Sequence, residues 1–247
     1  MNSTNPPRVT VITPTTGAPC VFQALESVRA QTLPNVQHLL VIDGPRDFPM
    51  EMLAAFPQVE VLQLPYAVGK DRFNGHRMYG ACTYLARGDF IVFLDEDNWF
   101  EPQHLESLDS VVRSGQDWSY SLRTIRDQQG LLVCTDDCES LGQWPTVLGP
   151  SDFLIDVSSF YLPRRAALSI SPLWYRRTKQ PGVMEVDRAI TRYLRSKFPK
   201  FDCSYQYSMN YRTGNTAISV KSDFFLRGNE KMLARHHGQL PWRKAAP

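Results

Sequence analysis

Short apolar runs and stretches of helical spacing alternate along the first hundred residues of the chain. Residues 8–13, 39–42 and 90–94 are β-branched or aromatic runs of strand length, and each ends in polar or turn residues. Between them, residues 21–31 and roughly 74–87 place apolar side chains at helical spacing. Buried strands joined by helices predict an α/β fold with a mostly parallel central sheet flanked by helices.

The pattern changes after residue 115. Residues 119–124 and 130–134 lie on either side of a turn sequence and predict a β-hairpin. Residues 153–162 predict another strand, and residues 184–198 form the clearest later helix. These elements predict a β/α region appended to the first sheet.

Composition and charge narrow the class of protein. The chain has 247 residues, of which 43% are hydrophobic, and a net charge of +2. A large core is therefore expected, and neither nucleic acid nor a membrane surface is an expected partner. The N-terminus lacks an apolar signal-peptide core, and no run approaches the roughly 18 apolar residues of a membrane span. The five cysteines have scattered spacing and predict free thiols. We expect a cytoplasmic protein without an integral membrane segment.

Three consecutive acids, Asp95, Glu96 and Asp97, close the strand at residues 90–94. The carboxyl end of a buried strand is where open α/β sheets bind their ligands. Carboxylates packed this closely repel one another, and a bound divalent cation is the simplest relief. An Asp-x-Asp pair suits Mg²⁺ or Mn²⁺, which keep some waters and bridge to phosphates. A surface turn with solvated acids would explain the triplet about as well.

Two further strand ends are expected at the same edge of the sheet. Thr13 and Thr15 close the first strand, and Asp43 closes the second. Hydroxyls, an acid and an acidic metal site at one edge would suit a nucleoside diphosphate. Asp43 and the Gly-Pro that follows it are, taken alone, more simply a turn. The order of the three loops favours the joint interpretation.

These segments resemble the family 2 glycosyltransferases of GT-A fold. The resemblance is carried by Arg8-Val-Thr-Val-Ile-Thr-Pro-Thr-Thr, Val41-Ile-Asp-Gly and Ala86-Arg-Gly-Asp-Phe-Ile-Val-Phe-Leu-Asp-Glu-Asp-Asn. It covers residues 8–110 and continues weakly to about residue 230. It implies a nucleoside diphosphate sugar as donor, with a UDP-sugar favoured. It also implies Mn²⁺ or Mg²⁺, a saccharide or other hydroxyl acceptor, and inversion at the anomeric carbon.

The resemblance assigns roles to the matching residues of the first half. Thr13 and Thr15 would contact the nucleoside, and Asp43 would read the base. Asp95 and Asp97 would form the metal pair, with Asp97 in the more direct contact.

Other positions match the family pattern less closely. Glu96, in the variable middle position, would face away or hold the ribose. Arg77 stands where the family often has an Arg-Asn pair and could reach a phosphate, and Arg72 is the competing candidate. His236 or His237 could complete the metal shell, although histidines near a C-terminus are usually unliganded.

A hydroxyl that attacks the anomeric carbon must lose its proton to a base. In the family this base is an Asp at the start of a late helix, which here corresponds to Asp187, with Glu185 as the alternative. Both could instead be ordinary helix N-terminal acids stabilised by the macrodipole. Asp156 would border the acceptor pocket and bond an acceptor hydroxyl, or it is merely a polar residue at a strand edge.

The expected organisation is a single GT-A-like domain. Residues 8–115 would form the nucleotide-sugar-binding half, residues 116–235 the acceptor-side half, and residues 236–247 a loosely ordered tail. The expected function is a metal-dependent inverting glycosyltransferase. A nucleotidyltransferase is one alternative, although the loop after the first strand lacks the basic, Gly-rich character of that class. A non-catalytic nucleotide- or sugar-binding module is the other.

Overall fold

The computed structural model describes residues 7–70, 73–176, 186–215 and 219–244. The strands are β1 (Val9–Thr15), β2 (Val36–Ile42), β3 (Val59–Gln63), β4 (Phe90–Phe93), β5 (Trp99–Phe100), β6 (Trp118–Arg126), β7 (Leu132–Thr135), β8 (Phe160–Pro163) and β9 (Phe201–Arg212). The α-helices are α1 (Val21–Arg29), α2 (His76–Cys82), α3 (His104–Arg113), α4 (Arg164–Ile170), α5 (Val186–Lys197) and α6 (Ser222–Arg235). Short 3₁₀ helices cover Met50–Ala55, Val157–Ser159 and Ser171–Tyr175.

The first half of the sheet is parallel, which confirms the prediction. β1 pairs in parallel with β2 and β4, and β2 pairs in parallel with β3. Alternate β1 side chains face opposite sides of the sheet: Val9 and Val11 pack in one core cluster with Ala24, whereas Ile12 packs in another with Met78. Because helices cover both faces, all residues of β1 and β4 are buried. The carboxyl ends of β1, β2 and β4 therefore open on one edge.

The second half of the sheet is mixed. Within the described residues the nine strands follow the order β3-β2-β1-β4-β8-β6-β9-β5, with β7 beside β6. β8 is antiparallel to both β4 and β6, and β9 is parallel to β6. The predicted hairpin is present as the antiparallel pair β6 and β7.

The strand predicted over residues 153–162 is wrong for most of its length. Only Phe160–Pro163 forms a strand, and a 3₁₀ turn at Val157–Ser159 precedes it. Asp156 causes this change, because its carboxylate accepts a hydrogen bond from the backbone N–H of Ser158 at 2.8 Å and so caps the turn. Asp156 consequently lies on a bend and not on a strand.

The longest strand, β9, was not predicted, although its sequence carries a signal. Apolar or aromatic side chains occupy every second position from Phe201 to Tyr211, which is the period of a half-buried strand. α2 is shorter than the predicted helix over residues 74–87. The hydroxyl of Thr83 donates to the carbonyl of Tyr79 at 2.7 Å and competes with continuation of the helix.

The end of the described chain is packed against the body of the protein, in contrast to the loose tail expected for residues 236–247. Trp242 is fully buried, and its indole N–H donates to Oδ1 of Asp137 at 2.7 Å. Asp137 also accepts from the hydroxyl of Tyr207 at 2.5 Å. The buried indole, with its N–H satisfied, anchors this segment to the body of the protein.

The structure also shows the state of the cysteines and the length of the apolar helices. All five cysteines are unpaired, as predicted. No helix in the described parts of the chain is both long and apolar enough to cross a bilayer.

Candidate active site

The three acids lie in a tight turn at the carboxyl end of β4. The backbone N–H of Asn98 donates to the carbonyl of Asp95 at 3.1 Å, which closes the turn. The hydroxyl of Ser158 accepts from the backbone N–H of Asp95 at 3.2 Å and from the Asn98 side chain at 3.4 Å. The turn is therefore fixed at the sheet edge that the sequence predicted.

Burial disfavours the ionised forms of the Asp95 and Asp97 carboxylates. Burial, followed by repulsion from Asp97 and Asp156, raises the pKa of Asp95 well above its usual range. Burial also raises the pKa of Asp97, although the side-chain N–H of Asn215 donates to Oδ2 of Asp97 at 2.7 Å and opposes this effect. A cation between the two carboxylates would stabilise both in their ionised forms.

The donor set fits a cation that shares its shell with a ligand. The ionisable groups that act most strongly on Asp95 through space are carboxylates: Asp97, Asp156 and Asp187. No group of three or more His, Cys, Asp or Glu side chains within the described residues is arranged as a complete metal site. Two hard oxygen donors from protein suit Mg²⁺ or Mn²⁺, because these ions usually take their remaining ligands from water and substrate phosphates.

Glu96 joins the acid turn to the loop after β1. Its carboxylate accepts from the hydroxyl of Thr15 at 2.5 Å, from the backbone N–H and hydroxyl of Thr16 at 3.0 and 2.7 Å, and from the N–H of Ala18 at 3.3 Å. Gly17 has φ +88°, a backbone conformation that suits glycine and lets both neighbouring amides face one carboxylate. The Glu96 carboxylate therefore points toward the loop after β1, and both of its oxygens accept hydrogen bonds from that loop. Through this contact Thr15 lies beside the acid turn, and its contact with a nucleoside stays a prediction.

Thr13 and Asp43 are both engaged inside the protein. The hydroxyl of Thr13 lies 2.9 Å from Nε2 of His38, and the Thr13 side chain is fully buried, so its direct contact with a nucleoside is not supported. Asp43 is 3% exposed and accepts from the backbone N–H groups of Val68 and Gly69 at 2.6 and 3.1 Å. Asp43 therefore shapes the segment that follows β3.

Arg77 contacts the same segment. Its guanidinium donates to the carbonyl of Val68 at 3.1 Å and lies 3.5 Å above the ring centre of Phe73. Arg72 lies outside the described residues. Either arginine is still a candidate for contact with a phosphate.

Asp187 lies in the first turn of α5 and has an unusual environment. Its Oδ1 atom is buried, has no hydrogen-bond partner among the described residues, and lies 4.0 Å from Nε2 of His76. Burial, followed by the charge of Asp156, raises the pKa of Asp187 to about 7. A carboxylate with an unpaired oxygen and a pKa near neutrality is suited to accept a proton. Glu185, the alternative base, lies outside the described residues.

Asp156 links the two acidic centres electrostatically, but its oxygens are engaged. Its Oδ2 accepts from the buried guanidinium of Arg123 at 2.5 Å, and its Oδ1 accepts from Ser158. Arg123 also pairs with Asp136 and Glu139, both at 2.7 Å. The structure thus places Asp156 in a buried ionic network, and does not support the expected bond to an acceptor hydroxyl.

Three residues at the site were not found by sequence reasoning. Tyr79 donates to Asp95 at 2.6 Å, Asn215 donates to Asp97, and His76 faces Asp187. His76 and Tyr79 are one turn apart on α2 and resemble ordinary core residues of an amphipathic helix. His236, a candidate for the metal shell, packs edge-on against Trp242 at 5.2 Å.

Part of the chain is similar in sequence to known glycosyltransferases. The family model described as glycosyl transferase family 2 matches residues 10–117. The putative glycosyltransferase EpsH of Bacillus subtilis (strain 168) is 29% identical over 115 residues, which are 44% of this chain and 28% of EpsH. The chain therefore spans less than a third of the length of that relative.

Solved structures show the same fold over nearly the whole chain. Residues 1–349 of S. aureus TarS superpose with a TM-score of 0.61 at 14% identity, covering 93% of this chain and 71% of TarS 1–349. TarS 1–349 in complex with UDP-GlcNAc gives a TM-score of 0.60 at 15% identity, covering 85% and 59% of the two chains. The complex with UDP gives 0.61 at 14% identity, covering 94% and 72%. Residues 10–117 of the chain are therefore similar to the family 2 glycosyltransferases, and nearly the whole chain has the fold of the TarS glycosyltransferase structures.

Proposed function

We propose that this protein transfers a sugar from a nucleoside diphosphate sugar to a hydroxyl acceptor, with inversion and with Mn²⁺ or Mg²⁺ as cofactor. One observation carries the proposal. Asp95, which is crowded by Asp97, lies within electrostatic range of a third carboxyl, that of Asp187, whose pKa is raised to about 7. The first pair suits a cation and diphosphate, and the third group suits a general base.

The proposed reaction divides the work between two elements of the fold. Asp187 on α5 takes the proton from the acceptor hydroxyl as its oxygen bonds to the anomeric carbon. The bond between that carbon and the diphosphate oxygen breaks on the opposite face, so the configuration inverts. When bound, the cation neutralises negative charge that develops on the departing diphosphate. Asp95 and Asp97 hold that cation at the end of β4.

The nucleoside end of the donor is proposed to bind between the loops after β1 and β2. Glu96 and Thr15 fix the first loop, and Asp43 fixes the segment at Val68 and Gly69. UDP and UDP-GlcNAc are bound in TarS, which has the same fold, and this favours a uridine diphosphate sugar here. The cytoplasmic location expected from the sequence stays a prediction.

Nucleotide binding provides the first test. Melting temperature is measured with UDP, GDP, CDP and ADP, each with Mn²⁺ and with EDTA. We expect UDP with Mn²⁺ to stabilise the protein most, since a ligand at a hundred times its Kd stabilises by ~2.7 kcal/mol. If each nucleotide raised the melting temperature by the same amount with Mn²⁺ as with EDTA, the nucleotide and the cation would not share a site.

Matched variants separate binding from turnover. In Asp97→Ala, the part of the UDP-induced rise in melting temperature that depends on Mn²⁺ should be lost. Asp187→Asn should keep that rise, while its rate of sugar transfer should fall by about 10²-fold or more. Asp223→Asn, an exposed acid on α6 that pairs with Arg227, is the control and should change neither. UDP-sugar binding without transfer to any hydroxyl acceptor would indicate a binding module. Release of pyrophosphate with nucleotide incorporation would indicate a nucleotidyltransferase.

A further inference from the structure

The side chain that fixes Asp95 comes from a different part of the fold. Tyr79, on α2, is fully buried, and its hydroxyl donates to Oδ1 of Asp95 at 2.6 Å. Two aromatic rings hold the Tyr79 ring: Phe93 of β4 at 4.9 Å between centroids and Trp174 at 5.3 Å. The phenol is thus aimed at the acid by a rigid aromatic cluster.

This hydrogen bond determines where the other oxygen of Asp95 points. A carboxylate is planar, so a donor fixed on Oδ1 leaves rotation about the Cβ–Cγ bond little freedom and sets the direction of Oδ2. The backbone N–H of Asp95 is held as well, because it donates to the hydroxyl of Ser158 at 3.2 Å. Both the backbone and the side chain of Asp95 are therefore arranged before any ligand binds.

The Tyr79 hydroxyl is the donor in this bond, because an ionised carboxylate oxygen of Asp95 can only accept. Loss of a partner that holds a ligating side chain typically lowers metal affinity or activity by about 10- to 100-fold. If Asp95 binds a cation, its hydrogen bond from Tyr79 should therefore affect the affinity for that cation.

We propose that Tyr79 is the positioning residue of the donor site, and that it orients the Asp95 carboxylate to hold the divalent cation against the diphosphate. The inference rests on the proposed function, since it assigns a role within that same site. It adds that α2, which carries no acid of its own at the site, controls cation affinity through one hydroxyl.

The chain offers a matched control for the loss of this hydroxyl. Tyr161 is also fully buried, and its hydroxyl donates to Oδ1 of Asp109 at 2.8 Å. Its ring stacks on Phe90 at 4.7 Å and belongs to the core cluster that does not include Tyr79. Tyr161→Phe removes the same kind of bond without altering the acid turn.

The experiment compares wild type, Tyr79→Phe and Tyr161→Phe. Calorimetric titration with Mn²⁺ in the presence of saturating UDP measures cation affinity, and circular dichroism verifies that each variant is folded. We expect Tyr79→Phe to weaken Mn²⁺ affinity about 10- to 100-fold. Tyr161→Phe should keep the wild-type affinity, while both variants lose a similar amount of ligand-free melting temperature.

Turnover gives a second readout. In Tyr79→Phe, the Mn²⁺ concentration for half-maximal transfer should rise, and excess Mn²⁺ should restore most of kcat. If Tyr79→Phe binds Mn²⁺ as wild type does, the positioning role is refuted while the proposed function stands. If wild type shows no Mn²⁺-dependent binding of UDP, the proposed function fails, and the role of Tyr79 fails with it.

Discussion

Replacement of Asp187 by Asn should stabilise the folded protein at neutral and alkaline pH while it stops transfer. The carboxyl is largely buried, with 24% of its side chain exposed, and its Oδ1 has no hydrogen-bond partner in the part of the chain that the structure describes. Burial and the charge of Asp156 raise its pKa from 3.8 to about 7. A general base must be ionised, and the ionised form of Asp187 is therefore electrostatically destabilised in the folded state.

The sign and size of the effect follow from linkage. The folded state binds the Asp187 proton more tightly than the unfolded state, so stability falls as pH rises from about 4 to about 7 and is constant above. At ~1.36 kcal/mol per pKa unit, the upper limit of the loss is about 4 kcal/mol. Asn carries no charge and avoids this loss, but its buried amide also lacks partners, so we expect a net gain of ~1–2 kcal/mol.

Urea unfolding at several pH values measures the effect. The free energy of unfolding of Asp187→Asn minus that of wild type should be near zero or negative at about pH 4, rise with pH, and level off above about pH 7. Asp223→Asn, with its exposed acid, serves as the control. If Asp187 is merely a helix N-terminal acid that the macrodipole stabilises, Asp187→Asn will destabilise the protein, and more so at high pH. That result would refute the assignment of Asp187 as a strained base.

The remaining predictions concern the reaction, the first loop and the C-terminal segment. The value of kcat/KM should fall below about pH 7, because the Asp187 carboxylate must be ionised to accept a proton, and a pH-independent rate would contradict its role. Glu96→Gln should loosen the loop at Thr15 and raise the Kd for UDP about tenfold, equivalent to ~1.4 kcal/mol in a binding titration. An unchanged Kd would show that the loop forms without this carboxylate. Trp242→Ala should lower the free energy of unfolding by ~3–5 kcal/mol in urea, since it removes a fully buried indole. A loss below ~1 kcal/mol would mean that the tail contributes little to the core.

The sequence was sufficient for the parallel half of the sheet and for the edge at which its ligands bind. Strands buried on both faces are continuous apolar runs, so β1, β2 and β4 are readable from local composition. Their carboxyl ends must meet at one edge, so the proximity of the acid turn to the loop after β1 also follows from the sequence. The alternation of apolar side chains in β9 is an equally local signal of a strand.

Only the tertiary structure decided which polar atoms pair across that edge. Glu96 bonds Thr15 from 81 positions away, and Asp156 bonds Arg123 instead of standing free. Tyr79 is, by spacing, one more core residue of a short helix. Hydrogen-bond partners and the pKa of Asp187 depend on burial and on distances set by packing between elements, and no local pattern of residues encodes those quantities.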